Sequence, residues 1–307
     1  MNSRSNKSYI AREMMFGYRD PFTYFQCSKC GCLQISKIPS DMSKYYPRDY
    51  YSFSLNSHEQ SKKTIKRLFI TMRNHYAVFN KGIIGKLFYK KFPNETLRCL
   101  SRIDLTKYSK ILDVGCGTGW YLHTLTDIGF KNLLGIDLYI EKNIKYKNGL
   151  CILKDTIHNI NGEYDLIIFH HSFEHIRYPE ETLQSVSRLL SKDGLCLIMI
   201  PTVSSYAWKH YGVHWVQLDA PRHFFLYSIE SINILAEKTN FNLIEILYNS
   251  TDFQFWGSEQ YLNDIPLKSE RSDSLFSVPQ IKAYKQKANQ LNLTNQGDQA
   301  VFYLKKK

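Results

Sequence analysis

No run of eighteen or more apolar residues occurs in the 307-residue chain, and the opening MNSRSNKSYIAREMMF lacks the unbroken apolar core of a secretion signal. Neither a membrane-spanning nor a secreted protein is expected, and the expected location is cytoplasmic. Cysteine is too sparse and too scattered for a disulfide scaffold: seven residues, an odd number, stand at positions 27, 30, 32, 99, 116, 151 and 196. Most are expected as free thiols in a reducing compartment. Internal repeats and low-complexity tracts are also missing, which leaves a globular chain as the reading. Acidic residues are outnumbered, with 28 Asp and Glu against 40 Lys and Arg for a formal charge of +12. That excess suits an anionic partner, whether a nucleotide-linked substrate, nucleic acid or a membrane surface, without choosing among them. Several lysines lie at positions 305–307 and at 62, 63 and 66, and a dispersed solvated surface is the simpler explanation. Nucleic acid is therefore not favoured, peripheral membrane contact stays open, and nothing indicates the oligomeric state.

What the chain does contain, from about Lys107, is a series of apolar runs alternating with helical segments. KILDVG, NLLGIDL, GLCILKD, YDLIIFHH, GLCLIMIP, FNLIEILY and QAVFYLKK read as seven strands. Helices are expected from Gly119 to Ile128, over ETLQSVSRLL, over SIESINILAEKTN with its serine cap, and over VPQIKAYKQKANQLN. The expected fold is α/β: a mostly parallel, Rossmann-like sheet covered by helices on both faces. Residues 1–60 read as an N-terminal extension with a partial zinc-ribbon-like cysteine group, 61–105 as a basic helical connector, and 106–307 as the main domain. A segment from Asn249 to Gly297 separates the last two strands.

The stretch ILDVGCGTGW, Ile111 to Trp120, carries the first chemistry. A strand entering a glycine turn and then a helix brings backbone N–H groups close to a ligand, and glycine permits the approach because a Cβ would collide or forbid the dihedrals. A dinucleotide site would use G-x-G-x-x-G. Here the spacing is G-C-G-T-G, and the carboxylate of Asp113 beside it would repel a pyrophosphate yet suit a cationic, amino-acid-bearing ligand such as S-adenosylmethionine. Asp137 ends the next strand, where a carboxylate can accept hydrogen bonds from both ribose hydroxyls, and Asp155 follows the third, suited to an adenine amino group. A lone aspartate at a strand end is more often a turn residue or cap. Three at one end of one sheet, together with the glycines, form a stronger pattern.

These motifs resemble those of the class I S-adenosylmethionine-dependent methyltransferases over roughly the last two thirds of the chain. The resemblance implies a seven-stranded sheet whose last strand is antiparallel, which the closing pair FNLIEILY and QAVFYLKK suits. It assigns Asp113, Gly115 and Gly117 to the first motif, Asp137 to the ribose and Asp155 to the adenine side. FHHSFEHI is similar to the family's "LEH" segment, with Phe173, Glu174 and His175 in its place. CSKCGCLQI, KYYPRDYYSF and HWVQLDAPRHFFLYS further resemble a bacterial subgroup associated with surface-polysaccharide and modified-sugar synthesis. The implied activity is methylation, O-methylation favoured, of a sugar in a nucleotide-sugar or glycan intermediate, an anionic small-molecule or glycan acceptor. Alternatives are an RNA or a small aromatic or quinone acceptor, or a non-catalytic S-adenosylmethionine-binding scaffold.

Methyl transfer is an in-line displacement, and a neutral hydroxyl acceptor must also lose a proton. His171, after the fourth strand, is the first candidate base and His223 the second, while His170 is expected to line the cofactor pocket through its backbone. A histidine at a strand end often only packs. Asp219 and Arg222 could hold acceptor hydroxyls and a phosphate or carboxylate, or pair internally to support their loop. Trp208 and Trp215 could stack on a ring, though buried tryptophans are commoner. His171, Glu174 and His175 would share a helical face as a ligand set. Some ubiquinone-pathway relatives have a second glutamate where this chain has His171, which argues against a metal there. Cys27, Cys30 and Cys32 supply three thiols, so structural zinc would need a histidine such as His58 or His75, and a metal-free ribbon is favoured.

Overall fold

A computed structural model of the chain describes residues 6–47, 64–269 and 275–307. In chain order, three short strands, β1 (Lys7–Arg12), β2 (Pro21–Gln26) and β3 (Leu33–Ile35), precede three helices, α1 (Thr64–Phe79), α2 (Ile83–Lys91) and α3 (Glu95–Arg98). The central alternation follows as β4 (Lys110–Val114), α4 (Trp120–Asp127), β5 (Asn132–Ile136), β6 (Ile144–Lys145), β7 (Cys151–Leu153), β8 (Tyr164–His170), α5 (Pro179–Leu189) and β9 (Leu190–Pro201). The chain then runs through α6 (Tyr206–Tyr211), β10 (Phe225–Leu226), α7 (Ile229–Lys238), β11 (Phe241–Tyr248), α8 (Phe253–Leu262), α9 (Val278–Leu293) and β12 (Gln299–Lys306).

Eight strands form the main sheet in the order β11-β12-β9-β8-β4-β5-β7-β6. The five from β9 to β7 are parallel, while β12 lies antiparallel between β9 and β11. All seven strands expected from the apolar runs are present, and the two-residue β6 adds an eighth at the edge. Strands buried on both faces explain the near-continuous apolar runs: in β8, Leu166, Ile167, Ile168 and Phe169 are all fully buried, alternating between two core layers. Strand order reverses beside β4, so the crevice beyond the carboxyl ends of β4, β5 and β8 is the place for a ligand in such a sheet.

The N-terminal strands are part of the same body. β1, β2 and β3 form an antiparallel sheet completed by β10, from the segment after β9. Ala11, Tyr24, Leu33 and Ile35 share a core with Trp208, Trp215, Phe224, Phe255 and Leu291. The boundary expected at residue 60 therefore separates no core; the extension packs on the segment that follows β9. CSKCGC makes the β2–β3 hairpin turn, closed by Cys27 N–H donating to Cys32 O (2.9 Å) and Gly31 N–H to Cys27 O (2.8 Å).

Candidate active site

The glycine loop is pinned to the neighbouring strand. Gly115 and Cys116 N–H donate to Ile136 O at 2.8 and 3.2 Å, and Gly117 N–H donates to Asp137 Oδ2 at 2.8 Å. Gly115 adopts φ +74°, and a Cβ there would stand 2.5 Å from Ser172 Cβ, so the residue is glycine for both conformation and space. Asp137 also accepts from Tyr139 N–H at 2.8 Å, which orients its carboxylate while leaving lone pairs on both oxygens. Burial raises its pKa against these backbone bonds.

Asp113 lies one turn of pleat below, 1% exposed, with neither carboxylate oxygen hydrogen-bonded among the described residues. Burial, reinforced by the charge of Asp137, pushes its carboxyl up to about 8. A buried acid with no partner of its own is an incomplete arrangement that a cation with donors would complete. Asp155 is half-buried and accepts from Thr156 N–H (2.7 Å) and Asn159 Nδ2 (2.8 Å), so it caps its own loop as well as facing the crevice.

A cavity of about 470 Å³ opens at this point, with Gly115, Asp137 and Asp155 on one side and His171, His175 and Tyr178 on the other. Met42 and Tyr46, from the N-terminal part of the chain, also line it, and Tyr46 stacks on Tyr139 with ring centroids 6.0 Å apart. A larger groove of about 920 Å³ between α1 and α2 is lined by Ile65, Phe69, Arg73 and Phe88 and has no carboxylate or histidine, so the smaller one is the candidate site.

Strand alternation separates the two adjacent histidines. His170 turns to the α4 face, packing against Tyr121 (5.0 Å between centroids) and Trp120 (6.4 Å), and does not border the cavity; burial, then the proximity of His171, lowers it to about 3. His171, at φ +53°, leaves the strand and faces the cavity. Glu174 and His175 follow in a 3₁₀ turn, Phe173–His175, so the shared α-helical face expected of His171, Glu174 and His175 does not form. His223 comes alongside instead: its ring lies 4.8 Å from that of His175, and its Nε2 is 3.8 Å from Glu174 Oε1. Burial and the neighbouring His175 lower His223 to about 4. Burial also opposes ionisation of Glu174, but His171, His175 and His223 outweigh it and hold the carboxyl down at about 2.

Arg222 is fully buried. Its Nε and Nη2 bind Asp219 at 2.9 and 2.5 Å, Nη2 also reaches Glu13 Oε1 at 2.9 Å, and Nη1 donates to Tyr45 O at 3.3 Å. The internal pair is the arrangement found, and Arg222 is not available to an acceptor phosphate. The charge of Arg222 keeps Asp219 ionised and below its usual range despite burial. Glu13, which no sequence pattern singled out, ties this cluster to the first hairpin by accepting from Phe16 and Tyr18 N–H at 3.0 Å each. A glutamate amid the apolar run YIAREMMF was the available signal. Trp208 and Trp215 are buried, Trp215 donating to Asp298 Oδ2 at 2.9 Å, so neither offers a stacking face.

Cys32 sits in the core with its thiol pushed up by burial, while backbone N–H groups of Cys30 and Lys29 lower Cys27. Among the described residues these thiols join no cluster of three ligand groups. His75 packs on Phe79 (4.8 Å), and His58 and the stretch 48–53 of the tyrosine-rich motif lie outside the described residues.

Residues 84–246 match a family model described as a methyltransferase domain. The chain is 26% identical over 184 residues to EEF1A lysine methyltransferase 2 of Danio rerio, covering 57% of this chain and 73% of that protein. Among solved structures it is similar to a mycolic acid cyclopropane synthase crystallised with SAH and CTAB (17% identity, TM-score 0.45, 69% of this chain and 85% of that one). It is also similar to a possible histamine N-methyltransferase from Thermotoga maritima (18% identity, TM-score 0.44, 79% and 92%).

Proposed function

The chain belongs to the methyltransferase family whose domain model it matches over more than half its length, and from that premise we propose that it methylates a hydroxyl of a sugar in a nucleotide-sugar or surface-glycan intermediate. It is an S-adenosylmethionine-dependent enzyme. When bound, this cofactor supplies an electrophilic methyl group on a sulfonium centre. The residues at the strand tips fit it. Asp113, buried and without a partner, suits the ammonium of the amino-acid moiety, and Gly115 leaves room that a side chain would fill. Asp137, held by two backbone N–H groups, keeps lone pairs for the ribose hydroxyls, and Asp155 suits the adenine amino group. Gly117 contributes by aiming its N–H at Asp137.

The observation that carries the acceptor reading is that Met42, Tyr46, Tyr139 and Tyr178 line the same cavity as His171. The aromatic rings of Tyr46, Tyr139 and Tyr178 suit the apolar face of a sugar. His171 borders the cavity and is the base in this reading, accepting the hydroxyl proton as the new C–O bond forms. His223, buried behind it, positions the cluster together with Asp219, while Arg222 braces the loop. A protein lysine acceptor is the second reading, favoured by the relationship to the Danio rerio enzyme.

Incubation with isotope-labelled S-adenosylmethionine and a panel of nucleotide sugars, read by mass spectrometry, tests the proposal. Label on a sugar oxygen is expected, and His171→Ala should lower turnover while leaving cofactor affinity nearly intact. Label found only on lysine side chains of added protein would replace the sugar reading with the second one.

A further inference from the structure

We infer that Glu174, His175 and His223 hold a divalent first-row transition-metal ion of the zinc type at the acceptor end of the cavity. One ligand atom from each of these residues lies within 4.8 Å of the others, a spread that metal bonds of about 2 Å can draw together with small side-chain shifts. Glu174 is completely buried, and neither of its oxygens has a hydrogen-bond partner among the described residues. His171 Nδ1 at 3.6 Å and His223 Nε2 at 3.8 Å are both too far to donate to it.

The two imidazoles are oriented as ligands. His175 Nδ1 lies 2.7 Å from Arg222 O and His223 Nδ1 lies 2.8 Å from Gln217 O. A carbonyl oxygen only accepts, so both Nδ1 atoms carry protons and the lone pair of each neutral ring falls on Nε2. Backbone carbonyls that fix the tautomer in this way are the usual outer support of metal-bound histidine. The lone pair of His223 Nε2 therefore faces Glu174 Oε1 at 3.8 Å, a repulsion that a cation bound by both would turn into coordination.

Charge balance points the same way. Glu13 and Glu174, both fully buried, and the partly buried Asp219 are joined through contacts of Arg222 and His223, and Arg222 is the single guanidinium in these contacts. Two imidazoles and a carboxylate form a borderline donor set suited to zinc or its first-row neighbours rather than to magnesium or calcium. His175 borders the cavity, so an open coordination position would face the acceptor. The ion's presence does not depend on the sugar reading. Its role rests on it: the ion would draw the acceptor oxygen toward His171 and acidify its proton, with no change of oxidation state.

The full chain, purified without a metal-affinity tag and dialysed against zinc or cobalt, should retain one equivalent of ion per chain by elemental analysis. The cobalt form should show visible d–d bands and no thiolate-to-cobalt charge-transfer band in the near ultraviolet. Glu174→Gln and His223→Ala should each weaken ion binding by more than about a hundredfold, and Cys27→Ser with Cys30→Ser should not. No retained equivalent, a thiolate charge-transfer band, or loss of the ion only in the cysteine variant would each overturn the inference. The wild-type spectrum alone decides between the imidazole and thiolate sites if the Glu174 variant does not fold. Calorimetry with S-adenosylmethionine separates the outcomes: cofactor binding by a chain that retains no ion after dialysis removes the metal and leaves the methyltransferase reading, whereas no cofactor binding removes that reading.

Discussion

Replacing Asp113 with asparagine should change how stability depends on pH before any ligand is added. The carboxyl is 1% exposed, has no hydrogen-bond partner among the described residues, and sits at about 8 against a normal value of 3.8. A pKa raised in the folded state means that the folded chain binds a proton more tightly than the unfolded one. The associated stability is fully present below about pH 4 and is lost as pH rises toward 8. Through that window the loss is about 1.4 kcal/mol per pH unit for one group, or about 3 kcal/mol between pH 5 and pH 7. Asparagine has nearly the same shape and cannot ionise, and every other titrating group is common to both chains. Urea unfolding at pH 5, 6 and 7 should show the wild type losing stability relative to Asp113→Asn across the series. Saturating S-adenosylmethionine should reverse the trend for the wild type alone, because its ammonium takes the place of the missing counter-charge and releases a proton. A wild-type-minus-variant difference that stays constant within about 0.5 kcal/mol would refute the argument that this carboxylate is uncompensated.

Asp137→Ala should weaken S-adenosylmethionine by more than about tenfold in calorimetry, since hydrogen bonds to a charged group contribute about 1.5 to 3 kcal/mol; it also frees Gly117 N–H and slackens the glycine loop. Gly115→Ala forces a Cβ to 2.5 Å from Ser172 in a left-handed conformation, and thermal unfolding should report a loss of about 2 to 4 kcal/mol. Glu13→Gln leaves Arg222 buried with one anionic partner fewer and should cost about 3 to 5 kcal/mol in urea titrations. Arg222→Met should cost less when combined with Glu13→Gln than the two single changes sum to, because the Glu13 charge that Arg222→Met strands is absent from the double variant.

The sheet was legible because its signal is local. Buried parallel strands are continuous apolar runs such as LIIF in β8, and the tips that follow them carry Asp113, Asp137 and Asp155 at positions that pattern alone identifies. The tiny edge strand β6 escaped because two residues give no periodicity. Failures arose where a partner lies far away in the chain. Arg222 reads equally as an anion-binding residue or as the partner of Asp219, and what the sequence conceals is Glu13, 209 positions earlier, at 2.9 Å. His223 joins Glu174 and His175 only because the segment after β9 folds back onto the β8 tip, and β10 exists only because β3 is there to pair with it. His170 and His171 look equivalent in sequence; the positive φ of His171, which no pattern announces, sends one to the cavity and leaves the other on the α4 face.

The position of β12 has a consequence for how the chain must be made. It lies between β9 and β11, antiparallel to both, with Ala300 to Leu304 buried to 1% exposure or less. During synthesis β9 emerges long before β12, and until the latecomer arrives β9 has a bare row of amide and carbonyl groups and an uncovered apolar stripe. A nascent chain stalled in that interval offers a template for strand pairing with its neighbours. Aggregation of this protein should therefore be governed less by native stability than by the time spent waiting for a single strand to fill the gap.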